Sequence, residues 1–89
     1  MVIYPVIKKT LSPGEEFIAT TGRGIIVMDM SAGQTGAVYL MQYWSLRTII
    51  SPDSSIFKVE HTGTPLQMRV TNITETNREL RYRVFSLEG

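Results

Sequence analysis

The chain has 89 residues, nine Lys/Arg against eight Asp/Glu, a net charge of +1 and no cysteine. That length is one domain, residues 1–89, with a thin core, and the missing cysteines exclude disulfides and thiolate metal sites, so subunit association is the cheapest support left. Near-neutral, interspersed charge argues against strong nonspecific nucleic-acid binding, which neutralises many phosphates, and 43% hydrophobic residues argue against disorder.

Val2 to Lys9 reads as an extended edge strand or arm within residues 1–10, because Pro5 has no N–H to give to a ladder. Its apolar part precedes its lysines, the reverse of a secretory signal, so no targeting segment is expected. Ser12-Pro13-Gly14 is a turn, and Glu15 to Thr20 a weak strand anchored by Phe17. After the break at Thr21-Gly22-Arg23-Gly24, Gly24 to Met30 is rich in β-branched residues and apolar on both faces. Ser31 to Gly36 is a loop that can close a hairpin onto a second such strand, Gly36 to Tyr43. The uncharged run from Met30 to Leu46 is broken by Gly33, Gln34, Gly36 and Gln42, so a soluble chain without a transmembrane helix is expected.

Trp44-Ser45 marks a bend, where Trp44 reads as an anchor packed under a loop. Leu46 to Ile50 is a strand, and Ser51-Pro52-Asp53-Ser54 a turn. Phe57 and Val59 alternate with Lys58 and Glu60 in Ser55 to His61. Leu66, Met68 and Val70 point inward from Leu66 to Thr71. Asn72 to Asn77 is a polar loop. Arg78 to Leu87 closes with Leu80, Tyr82 and Val84 on one face and Glu79, Arg81 and Arg83 on the other. About eight short strands spaced by turns, without a helix, predict an all-β, two-sheet antiparallel β-sandwich of jelly-roll-like type. The alternative is a small closed β-barrel of the oligonucleotide-binding type.

The doubly apolar strands have two readings. Either both are central in one sheet whose outer face the N-terminal arm caps, or they form an oligomer interface built on Ile26, Met28, Tyr39 and Met41. Interface centres favour aromatic residues and Met over Lys and Glu, which prefers the second. Tyr43 and Trp44 are a possible ligand contact, as stacking faces for a carbohydrate. Arg69, Arg81 and Arg83 are a possible basic face for single-stranded nucleic acid.

No catalytic, metal or cofactor set stands out. His61 is the sole histidine, and zinc needs more ligands. Glu15 and Glu16 are adjacent on a strand and point opposite ways. Asp53 is a turn residue. Asn72-Ile73-Thr74 is a glycosylation triplet that matters only in a eukaryotic secretory pathway. A non-enzymatic module is expected.

Several segments carry a resemblance. They are Gly36-Ala37-Val38-Tyr39-Leu40 followed by Trp44 and Ile49-Ile50, then Ser55-Ile56-Phe57-Lys58-Val59, Leu66-Gln67-Met68-Arg69-Val70-Thr71-Asn72 and Arg83-Val84-Phe85-Ser86-Leu87. Over residues 23–87 the chain resembles small all-β domains of tailed-bacteriophage virion proteins, of tail-fibre, spike or head-decoration type. The resemblance implies a structural or receptor-binding part, commonly trimeric, without catalytic residues. Its implied partners are copies of itself, other virion proteins or a host surface.

Overall fold

Strict alternation leaves a chain few choices but to pair strands, and nine strands form in the computed structural model, which describes residues 1–30, 36–52 and 55–88. They are β1 (Val2–Ile3), β2 (Ile7–Leu11), β3 (Glu16–Thr20), β4 (Gly24–Met30), β5 (Gly36–Met41), β6 (Leu46–Ile50), β7 (Phe57–His61), β8 (Gln67–Asn72) and β9 (Arg78–Ser86). The larger sheet runs β1-β9-β4-β5-β6, with β2 also on β9, and the smaller runs β3-β8-β7; every pairing is antiparallel. The sheets do not close into a barrel, so the sandwich expectation holds. The proposed β4–β5 hairpin is present, with Val27 opposite Val38. The Ser31–Thr35 part of its loop and the Asp53-Ser54 turn lie outside the described residues.

The N-terminal segment lies along β9 as an edge strand and does not cap a sheet face. Ile3 faces Phe85 while Ile7 faces Tyr82, so four steps on this strand match three on β9. The extra residue is a bulge around Pro5, which cannot join the ladder, while the Tyr4 amide still bonds the Val84 carbonyl at 3.0 Å. A second irregularity lies between β5 and β6: Val38 faces Ile50 while Tyr39 faces Thr48, which leaves Ile49 as the extra residue.

The core fills the space between the sheets. Ile26, Met28, Met30, Ala37, Tyr39, Met41, Leu80, Tyr82 and Val84 enter from the larger sheet, and Phe57, Met68 and Val70 from the smaller. Methionine suits a small interior of irregular shape, since its flexible thioether fills gaps that branched side chains leave. Phe17 stacks on Tyr82 across the sheets, centroids 5.8 Å apart, and the Lys9 ammonium sits 5.6 Å from the Phe17 ring and caps that flank. Burial raises the pKa of the Tyr39 and Tyr82 phenols, because low dielectric disfavours the phenolate.

Three of the described polar residues are buried, Thr21, Asn72 and Ser86. Asn72 is fully buried at the end of β8. Its Nδ2 donates to the carbonyls of Leu11 and Thr76, each at 2.9 Å, and its Oδ1 accepts from the Thr74 amide at 2.9 Å and the Thr74 hydroxyl at 2.7 Å. All four of its hydrogen-bond positions are used, and they tie the end of β2 to the crossing from the smaller sheet back to the larger. This packing leaves no room for a sugar on the Asn72-Ile73-Thr74 triplet in the folded protein, because the nitrogen that would carry it is enclosed and donates twice.

Candidate functional site

In β4 and β5 both residue parities are apolar, so burial decides which face the protein keeps for itself. The expected oligomer interface on Ile26, Met28, Tyr39 and Met41 is corrected here. All four are buried between the sheets, Ile26, Met28 and Met41 completely. They are the larger and more flexible set, which is what a two-layer interior requires. The opposite parity, Ile25, Val27, Val38 and Leu40, faces outward, with Ile25 42% and Val27 40% exposed.

The register assembles these residues into two rows across the outer face. One row is Ile3–Phe85–Ile25–Leu40. The next is Arg83–Val27–Val38–Ile50. Beyond them lies a polar row, Lys8–Arg81–Asp29, in which the Arg81 Nη2 donates to Asp29 Oδ2 at 2.8 Å. Four strand positions at about 4.8 Å, by two rows about 7 Å deep each, make a patch of roughly 300 Å² that is apolar except for Arg83 at one end. That is the size of the largest patch on an ordinary monomer, and such patches are often functional.

The sheet edges are guarded and the face is not. The β1–β2 edge carries Pro5, its bulge, Lys8 and Lys9; β6 carries a bulge and Arg47; β3 carries Glu16; β7 carries Lys58 and Glu60. Proline, bulges and charged side chains discourage strand addition. The uncovered apolar rows therefore lie on the face and not along the edges.

The expected basic face on Arg69, Arg81 and Arg83 does not form. Arg69 is on β8 in the smaller sheet, while Arg81 and Arg83 are on β9 in the larger, and their outward sides are opposite surfaces of the sandwich. Arg69 is held among carboxylates, 3.1 Å from Glu60 and 3.6 Å from Glu16. The hydrogen bond from Arg69, and after it that from Lys58, holds the Glu60 carboxyl below its ordinary value. This cross-strand cluster keeps the outside of the smaller sheet hydrated.

Tyr43 and Trp44 occupy the turn between β5 and β6, with the rings edge to face at 5.7 Å and 66°. Trp44 is 67% exposed, so it is not an anchor under a loop as the bend suggested. The turn is fixed by the Gln42 amide on the Ser45 carbonyl at 2.8 Å and by the Ser45 hydroxyl on Gln42 Oε1 at 3.0 Å. The Tyr43 carbonyl accepts from the Leu66 amide at 3.0 Å and lies 3.1 Å from His61 Nε2. The Gly63 amide donates to His61 Nδ1 at 2.9 Å, so the ring carries its proton on Nε2 and braces two loops. His61 is structural here. Leu66 adopts a left-handed φ of 60°, held because its amide and carbonyl bond Tyr43 and Thr21. Among the described residues no group of three or more His, Cys, Asp or Glu is arranged to hold a metal ion, and no helix is long and apolar enough to cross a membrane.

Comparison with known protein families, characterised proteins and solved structures finds no match to this chain.

Proposed function

We propose that this protein is a non-enzymatic assembly module that self-associates through the outer face of its larger sheet, as a structural component of a bacteriophage virion. The observation that carries the self-association is the pair of uncovered apolar rows centred on Ile25, Val27, Val38 and Leu40. Covering such a face removes apolar surface from water, at about 25 cal/mol per Å². A stable interface needs about 800 Å² per partner, so the patch of roughly 300 Å² is the centre of the contact and polar surface forms its rim. The place in a virion rests on the resemblance of residues 23–87 to tail-fibre, spike and decoration domains; other virion proteins or a host surface then complete the list of partners.

Sedimentation equilibrium at micromolar concentration tests the association. The wild-type chain is expected to exceed its monomer mass. Val27→Lys combined with Val38→Glu is expected to return it to the monomer with its circular dichroism unchanged, because both side chains point away from the core. A wild-type chain that stays monomeric at every concentration, or a double variant that associates as before, sinks the proposal.

A second reading is carbohydrate binding by Tyr43 and Trp44, favoured by their shared exposure on a braced turn. Their rings meet at a steep angle, so they form a corner suited to one sugar ring. Oligosaccharides are then expected to alter Trp44 fluorescence, and Tyr43→Ala to weaken the effect. Since Trp44 is open to solvent, an unchanged spectrum across a broad glycan panel rules this out.

A further inference from the structure

We infer that the hollow between the N-terminal arm and the end of β3 binds a small uncharged molecule that joins a mostly apolar body to a hydroxyl group.

The hollow follows from the unequal sheets. Ile7 pairs with Tyr82, and the Tyr4 amide bonds the Val84 carbonyl, so Tyr4 and Ile7 extend the inner side of β9 toward the sheet edge. The smaller sheet has three strands against six, and β3 ends at Thr20. Tyr4 and Ile7 therefore stay exposed although they lie on the inner side. The space left measures about 350 Å³, within the range of small-molecule sites. Tyr4, Pro5, Ile7 and Val84 give it apolar walls, and no charged side chain is among the described residues that line it.

Two enclosed hydroxyl-bearing side chains line this space from opposite sheets. Tyr82, on β9, is 5% exposed, and its hydroxyl has no hydrogen-bond partner among the described residues. Phe17 stacks on its ring and holds it in place. Burial raises the pKa of the phenol, so it is a donor at neutral pH. Thr21, just after β3, is 4% exposed and spends its proton on the Gly22 carbonyl at 3.0 Å, which leaves its oxygen free to accept. A donor and an acceptor in an uncharged hollow are matched by a hydroxyl, which both accepts and donates. A buried hydroxyl left unpaired is costly, and the apolar walls favour a partner with an apolar body over water alone. A carboxylate or an ammonium would enter without a counter-charge, which is strongly unfavourable.

Amide NMR spectra of the full chain at neutral pH, titrated with p-cresol, toluene and p-toluate at millimolar concentration, test this. The amides of Thr20 to Gly22 and of Tyr82 to Val84 are expected to shift with p-cresol. Toluene, without the hydroxyl, is expected to bind roughly three- to tenfold more weakly, and p-toluate, which is charged, about tenfold or more. Tyr82→Phe is expected to weaken p-cresol by roughly three- to tenfold and to leave toluene unchanged. That hydroxyl bonds nothing among the described residues, so its loss leaves the fold intact. Thr21→Val removes the acceptor and is expected to act in the same direction. Absent shifts, shifts confined to other residues, p-toluate binding as tightly as p-cresol, or p-cresol binding unchanged in both variants each overturn the inference. None of them bears on self-association, because the hollow lies on the inner side of the larger sheet.

Discussion

Asn72→Ala is expected to lower stability by about 3 kcal/mol, which for a domain of this size moves Tm down by roughly 12–24 °C. The reason is the change in satisfied polar groups rather than in volume. Alanine removes four side-chain hydrogen bonds and leaves the Leu11 and Thr76 carbonyls without the donor they share. The Leu11 carbonyl belongs to a residue that is itself 3% exposed, so water has poor access to replace that donor. Asn72→Asp is expected to be worse than alanine, because it turns both donors into an acceptor facing two carbonyl oxygens in a buried site. Thr74→Val, which removes the 2.7 Å hydroxyl bond to Asn72 together with the hydroxyl's weaker bonds to the Thr76 carbonyl and from Arg78 Nε, is expected to cost about 1 kcal/mol. Urea denaturation followed by Trp44 fluorescence and circular dichroism orders the three variants. An alanine variant within about 1 kcal/mol of wild type means that the cluster is replaceable by water.

The second large effect is at Gly24, where β4 begins between β9 and β5 and is paired to both, with Ser86 on one side and Met41 on the other. A Cβ there overlaps the Phe85 carbonyl oxygen, with Ser86 Cα and the Leu87 nitrogen close behind at 3.0 and 3.1 Å. The obstructing atoms are backbone, so no rotamer change relieves them. The two central strands of the larger sheet have to separate at this end, and the Leu87 amide loses its 2.7 Å bond to the Arg23 carbonyl as the strands move. Gly24→Ala is expected to destabilise by about 3 kcal/mol or more, at the high end for a single added methyl group. Gly36→Ala, at the start of β5, is the control: its Cβ meets only the Met28 carbonyl oxygen at 3.8 Å, an ordinary contact. Its expected effect is within about 0.5 kcal/mol of wild type. Equal losses at the two positions would show that the close approach does not set the cost at Gly24, since the reduced freedom of the unfolded chain favours alanine at both.

Both predictions rest on residues whose importance is hidden in one dimension. Asn72 reads as the first residue of a polar loop because asparagine is common there, and its burial follows only from the meeting of β2, β8 and the segment after β8. Gly24 reads as one of several turn glycines, and only the approach of the β9 backbone separates it from Gly36. Trp44 was misplaced for a related reason. Aromatic residues are usually well buried, but the tight turn at Gln42–Ser45 leaves this one 67% exposed.

Strand content, the turns between strands, the edge position of the proline-containing N-terminus and the pairing of β4 with β5 follow from the amino-acid order alone. They depend on contacts between near neighbours: side chains alternate along a strand, Pro lacks an N–H, and Gly and Pro shape turns. Wherever one parity was polar, as in Leu66–Thr71 and Arg78–Leu87, the inward face was legible too. Two decisions belonged to the tertiary structure. In Gly24–Met30 and Gly36–Met41 both parities are apolar, so either face satisfies the hydrophobic effect equally, and packing against Phe57, Met68 and Val70 selected Ile26, Met28, Tyr39 and Met41 for the core. The separation of Arg69 from Arg81 and Arg83 was equally out of reach, because alternation states which way a side chain points within its own sheet and says nothing about which of two opposed sheets the strand joins.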